Sequence, residues 1–282
     1  MKKCRIIQQT DIRRFAAYLH QLEYAPGSME KYLRELAAFS RWLAGRPVTQ
    51  EEIADWKGQL RELGCCPGTI NAKLSALNRF FAFRGWTELR ARYCRIQRRF
   101  FRSDERELTR EDYGRLLAAA EGQGKTRLAL LMETICATGI RVSEVKYITL
   151  EAARAGRAEI ALKGKVRTIL LPGKLCRKLE RYAKKQGIAG GEIFLTRRRR
   201  GLSRRQIWAE MKALCARAGV AASKVFPHNL RHLFARTFYR ASRDVVQLAD
   251  VLGHSSIETT RIYLLSTGAN HARQLEQLGL IS

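Results

Sequence analysis

No apolar run in this chain approaches the roughly 20 residues a helical membrane span needs; the longest lies around Leu128–Met132. The opening stretch MKKCRIIQQTDIRRF has no apolar core behind its basic start, so no secretory signal is read there. Cysteine occurs seven times, at irregular spacing and never as a C-x-x-C pair, which argues against a zinc site. An odd, scattered set reads instead as buried thiols in a reducing cytoplasm. No internal repeat is present, and Arg197–Arg200 is the only low-complexity run, a solvated basic loop or a phosphate contact. The largest deficit is negative charge. Asp and Glu number 26 against 53 Lys and Arg, a net charge of +27. Such a chain seeks a polyanion, and DNA, RNA and anionic membranes are the candidates, membranes the weakest. With 46% hydrophobic and 28% charged residues, the 282-residue chain is expected to fold, as one large or two ordinary domains.

The first hundred residues read as helices. Tyr32, Leu36, Phe39 and Leu43 make one apolar stripe, with Ser28 as N-cap after Pro26-Gly27. Thr49 caps a helix carrying Ile53, Trp56 and Leu60 that stops at Gly64. Pro67-Gly68-Thr69 opens another, with Ile70, Leu74, Leu77, Phe80 and Phe81 inward and Lys73 and Arg79 facing solvent or a partner. From Arg90 to Arg106 there is no helical face but a density of arginine, read as a linker lying on nucleic acid. Thr109-x-x-Asp112 resembles a capping box and opens a second domain. There, two helices split near Gly122–Lys125. Ala158–Leu162 and Val166–Leu171 form a hairpin about Lys163-Gly164-Lys165, Glu192–Thr196 is a possible further strand, and helices follow to the end.

Three strings carry chemistry. In ATGIRVSE a helix ends at Thr138-Gly139 and another starts, placing Arg141 in its first turn. A cation there suits a bound anion, and a salt bridge to Glu144 is the plainer alternative. In PHNLRH, Pro227 starts a helix with Leu230, Leu233, Phe234 and Phe238 inward, while His228 and Arg231 share another face. In LGHSSIE, Gly253 stops a helix bearing Val245, Leu248, Ala249 and Leu252, and Ser255-x-x-Glu258 caps the next, so His254 sits at a tight junction. Tyr263 closes that helix; on its own it would read as core.

Taken together and in order, ATGIRVSE, the Lys163-Gly164-Lys165 hairpin, HNLRH, LGHSSIETT and Tyr263 resemble the tyrosine recombinase, or phage integrase, family. The helices from Ser28 to Phe83 resemble its core-binding domain. The resemblance implies a mainly α fold with a small antiparallel β-sheet. Residues 1–89 would form a helical core-binding (SAM-like) domain, 90–107 a basic linker, 108–265 a mixed α/β catalytic domain, and 266–282 a tail helix for protomer contact. Little room precedes the first helix for an extra arm-binding domain.

The resemblance also implies roles. A phenol, with a pKa near ~10, needs help to attack a phosphate; Tyr263 would be that nucleophile. Arg141, Arg231 and His254 would hold the non-bridging phosphate oxygens, and His228 would accept the proton. A hairpin lysine, Lys163 with Lys165 as the alternative, would protonate the departing 5′-oxygen. Glu144 would support the site, and Lys73, Arg79, Arg95, Arg98, Arg99 and Arg102 would touch DNA. No metal, ATP or other cofactor is implied. The expected partner is double-stranded DNA with inverted-repeat core sites, bound by a tetramer on two duplexes that is monomeric without DNA. No membrane is implied, and the setting is cytoplasmic, bacterial or phage-borne, with a mobile-element integrase favoured. The apolar residues Ala272, Leu275 and Leu278 of the tail would dock on the next protomer or, equally on sequence, on their own domain. The competing functions are a type IB topoisomerase-like nicking-closing enzyme and a DNA-binding protein without catalysis.

Overall fold

The computed structural model describes residues 5–96, 106–162, 165–254, 256–264 and 276, with the backbone alone for Leu162, Lys165, Ile262 and Leu264. The chain splits into two compact units, Met1–Arg98 and Arg99–Ser282.

The first unit is four helices, α1 (Gln9–Gln21), α2 (Pro26–Leu43), α3 (Gln50–Glu62) and α4 (Pro67–Phe83), closed by a short 3-10 turn at Thr87–Leu89. Their apolar stripes meet in one core in which Phe15, Phe39, Phe80, Leu36, Leu74 and Leu77 are fully buried. Burying each such side chain contributes about 1.5–3 kcal/mol. The rings pack edge-on, Phe15 against Phe80 at 5.4 Å and Phe80 against Trp86 at 5.8 Å. Thr49 caps α3 by accepting from the Glu52 N–H. α2 starts earlier than its sequence suggests. Pro26, with its fixed φ and no N–H to satisfy, takes the first turn, Ala25 is the N-cap, and the Ser28 N–H donates to the Ala25 carbonyl.

Two expected surface cations are half-buried here. The Lys73 ammonium lies 2.5 Å from the Glu35 carboxylate, which also takes Arg34 at 2.9 Å. Burial pushes Glu35 upward, but these two cations outweigh it and hold the carboxyl below its ordinary range. The Arg79 guanidinium lies over the rings of Tyr18 and Tyr24, 5.4 and 5.5 Å from their centroids. Past the 3-10 turn the chain stays on this unit. Asn78 pairs with both the N–H and the carbonyl of Ala91, and Asn71 does the same for Cys94. Arg95 is exposed just beyond. Arg98, Arg99 and Arg102 lie outside the described residues.

The second unit opens with α5 (Arg110–Glu121), where Thr109 and Asp112 form the reciprocal cap. Then come α6 (Thr126–Thr138), a 3-10 turn (Val142–Tyr147) and α7 (Leu150–Ala155). Strands β1 (Arg157–Leu162) and β2 (Lys165–Leu170) pair antiparallel, with Ala158 opposite Ile169 and Ile160 opposite Arg167. Alternate residues Ala158, Ile160 and Ile169 are buried on the core that α6 crosses. After α8 (Gly173–Lys185), the segment Glu192–Thr196 is not a strand. It makes single bridges, Thr149 to Glu192 and Leu195 to Gly201. Ile193 and Phe194 are consecutive and both buried, which defeats a one-faced period of two. α9 (Arg204–Lys212), α10 (Cys215–Ala218) and a 3-10 turn (Ala222–Lys224) lead to α11 (Pro227–Ser242), α12 (Val245–Leu252) and α13 (Ile257–Leu264). Fold class is therefore as expected, mainly α with one small antiparallel sheet. Among the described residues, no helix is long and apolar enough to cross a membrane.

Candidate active site

α6 ends at Gly139 in the left-handed region, φ +63°, where a side chain would run into the Phe234 ring. The chain then turns so that Arg141 caps the 3-10 turn from extended backbone, φ −74° and ψ 145°. The expected position in the first turn of a helix is thus off by one residue, and the turn is 3-10. The Glu144 carboxylate accepts from the Arg141 backbone N–H at 3.0 Å and its Nη1 at 2.9 Å, so the plainer salt-bridge alternative is present. Yet the Arg141 side chain stays 39% exposed while that of Glu144 is 3% exposed. The carboxylate takes one nitrogen of the guanidinium and leaves part of the side chain open to solvent. Arg141 Nη2 reaches the Gly253 carbonyl at 3.3 Å.

Arg231, placed by α11, is 1% exposed. It donates from Nη1 to the Gly139 carbonyl and from Nη2 to the Leu252 carbonyl at 2.8 Å. Its Nε donates to the Tyr263 hydroxyl at 3.3 Å, and Nη2 lies 2.9 Å from His254 Nε2. Burial pulls this guanidinium below its ordinary range, partly offset by its bond to Tyr263.

An arginine has only donors, so His254 Nε2 must accept and its proton sits on Nδ1, directed to Thr260 Oγ1 at 2.9 Å. Burial, then the positive charges of Arg231, Arg141 and Arg167, push the imidazole down to about 4. His254 is neutral at pH 7. α12 and α13 set this junction, since α12 stops at Gly253 in the left-handed region, φ +61°, as its sequence predicts. Ser255, the expected cap of α13, lies outside the described residues.

Tyr263, on α13, is 5% exposed. Three imidazoles surround its ring: His232 at 4.3 Å between centroids, His254 stacked at 5.5 Å, and His228 edge-on at 5.7 Å. His228 is exposed. Arg141, Glu144, His228, Arg231, His254 and Tyr263, scattered over the sequence, thus converge. Lys163 lies outside the described residues. Lys165 opens β2 opposite Leu162 rather than standing in the turn.

Three neighbours were not singled out from the sequence. His232 and Thr260 carry no sequence signal beyond their helical spacing from His228 and Tyr263. Arg167 does carry one. It shares the inward face of β2 with buried Ile169, an odd register for a charge. It donates to Glu144 Oε2 at 3.2 Å and to the Val251 carbonyl at 2.9 Å, and burial pulls it down to about 10. Among the described residues, three guanidiniums gather around one carboxylate, an excess of positive charge suited to an anion. The Tyr263 hydroxyl lies inside this cluster, accepting from Arg231 Nε.

The chain also resembles known proteins in sequence and fold. Residues 106–269 match the phage integrase family, and residues 12–88 match the phage integrase N-terminal SAM-like domain. The chain belongs to the phage integrase family. As a tyrosine recombinase it is an enzyme of DNA strand cleavage and religation. Tyrosine recombinase XerD of Brucella suis is 30% identical over 281 residues, covering 85% of this chain and 86% of that one. Tyrosine recombinase XerA of Pyrococcus furiosus is 27% identical over 96% of this chain and 94% of its own. Among solved structures, a lambda integrase tetramer bound to a Holliday junction superposes with a TM-score of 0.74 at 20% identity, over 90% of this chain and 76% of that one. XerH bound to its difH substrate gives 0.68 at 17% identity, over 97% and 90%.

Proposed function

We propose that this recombinase joins Tyr263 to the 3′-phosphate of a cut DNA strand, within a tetramer that exchanges strands between two duplexes bearing inverted-repeat core sites. The observation that carries the reading is the Tyr263 hydroxyl held 3.3 Å from Arg231 Nε, inside the cluster formed by Arg141, Arg231 and His254. The scissile phosphate places its non-bridging oxygens on Arg141, Arg231 and His254, which stabilise the charge of the pentacoordinate transition state. Tyr263 attacks phosphorus and His228 takes its proton. The P–O5′ bond breaks and the leaving oxygen receives a proton from the hairpin lysine, Lys163 in our assignment. Because the phosphodiester becomes a phosphotyrosyl ester, attack by a 5′-hydroxyl reverses the step with no external energy source. In this structure His254 Nε2 accepts from Arg231. To bind a phosphate oxygen it must present an N–H, so it gains a proton or exchanges tautomers as DNA seats.

For the setting we keep to the integrase of a mobile element, acting in the cytoplasm where its duplex substrate lies. DNA flanking the gene, with or without an attachment site, decides that point. Strand exchange between two labelled duplexes separates this reading from a nicking-closing enzyme. The chemistry is tested on a nicked suicide substrate resolved on a denaturing gel. The wild-type chain should become linked to DNA, and Tyr263→Phe should bind the same site without linkage. An adduct that persists in the Phe variant would move the nucleophile elsewhere, with Tyr239 next in line.

A further inference from the structure

Glu144 joins two arginines from different elements. Its Oε1 takes Arg141 Nη1, and its Oε2 takes both the Arg141 backbone N–H and Arg167 Nη1. Arg167 reaches in from β2, and its side chain is 13% exposed. Its other terminal nitrogen donates to the carbonyl of Val251, in the last turn of α12. Its Cδ and Nε press against Gly253, where a side chain would overlap them. One guanidinium therefore grips the carboxylate that orients Arg141 and the end of the helix that presents His254.

We propose that Arg167 is a positioning residue for strand cleavage, holding Glu144 and the Val251–Gly253 turn so that Arg141 and His254 meet the scissile phosphate together. The inference rests on the recombinase reading of this site. Arg167 need not touch DNA. Glu144 is buried and has two cations to satisfy. Without Arg167, Glu144 Oε2 is released to join Oε1 on the Arg141 guanidinium, whose planar fork is matched to a carboxylate, and the part left open for phosphate closes. The α12 terminus loses its tie at the same moment. A lysine at 167 keeps the charge but carries its donors on one nitrogen instead of a fork, so it holds Glu144 and Val251 less firmly.

The test is single-turnover cleavage of the suicide substrate by Arg167→Ala and Arg167→Lys in the full chain. Two scissile groups are compared: an ordinary phosphate, and a methylphosphonate with one charged oxygen replaced by methyl. Site binding and thermal unfolding are followed in parallel. A misplaced phosphate ligand costs on the order of 10²-fold in rate. We expect that loss for Arg167→Ala on phosphate, with binding close to wild type, and a partial loss for Arg167→Lys. On methylphosphonate, which asks less of Arg141, the gap to wild type should shrink to a few-fold. A merely structural role would slow both substrates alike, and that result overturns the inference. So do wild-type rates on phosphate in both variants. If Arg167→Ala does not fold, Arg167→Lys carries the same comparison of the two substrates. A wild-type chain that never forms the adduct overturns the recombinase reading itself. A wild-type adduct with no response to position 167 overturns this inference alone.

Discussion

Arg231 makes its hydrogen bonds, among the described residues, to two carbonyls, an imidazole and a phenol, and to no carboxylate. A buried cation that bonds no carboxylate directly is costly, and in the proposed function an incoming phosphate would offset that cost. His254 bears the same imbalance in a measurable form. Free imidazole takes a proton near 6.5, whereas folding pushes His254 down to about 4. Between those values the unfolded chain binds a proton the folded one refuses, so folding loses ground as the solution is acidified. The contribution is complete above about pH 6.5 and declines as the pH falls toward about 4. Urea unfolding at pH 7.5 and pH 5 should show the wild type losing more stability than His254→Gln. Parallel losses would mean that His254 is not held neutral.

At the scale of an element, the stop of α12 has two reasons to be glycine. Its backbone is left-handed, costing a residue with a side chain about 1–2 kcal/mol, and Arg167 occupies the space a Cβ would need. Overpacking adds roughly 1–3 kcal/mol. Gly253→Ala should therefore destabilise the second unit by both amounts and slow cleavage, since Arg141 bonds the Gly253 carbonyl. In an Arg167→Ala background the steric part should vanish, which a double-mutant cycle of unfolding free energies reads directly. An unchanged penalty would show that the two residues do not press on each other. The glycine itself was legible in the sequence, and so were Pro67 at a helix start and the Thr109–Asp112 cap, because their causes lie within a few residues. What escaped was set by distant partners. Lys73 meets Glu35 across 38 positions and Arg167 meets Glu144 across 23, and no local pattern announces either pair. Arg141 was half-legible. Its bond to Glu144 follows from a spacing of three, but the extended backbone that puts it before the 3-10 turn does not.

Across the whole molecule, the net charge of +27 makes salt the most general lever on binding. If DNA neutralisation engages roughly 6–10 phosphates, affinity should drop by about 10³–10⁵ between 50 and 200 mM salt, with a straight line in a log–log plot. A flat line would mean the charge faces away from DNA. Lys73 and Arg79 should contribute little to that slope, because one is paired with Glu35 and the other is laid over two tyrosine rings. Changing Arg95, which is exposed, should lower it more, and slopes measured for the single alanine variants rank the three.

The two asparagines on α4 decide where this protein could be cut and spliced. Each grips the N–H and carbonyl of one residue, so Ala91 and Cys94 hang on Asn78 and Asn71 much as a strand hangs on its neighbour. A chimera that takes its N-terminal module from this protein and is joined at residue 89 would leave the Asn71 and Asn78 amides with nothing to hold, and would expose the apolar floor that Ala91 covers. Joined after Cys94, the donor module brings its own straps and its own lid. For anyone transplanting this module, the portable cassette ends at the second strap, not at the last turn of helix.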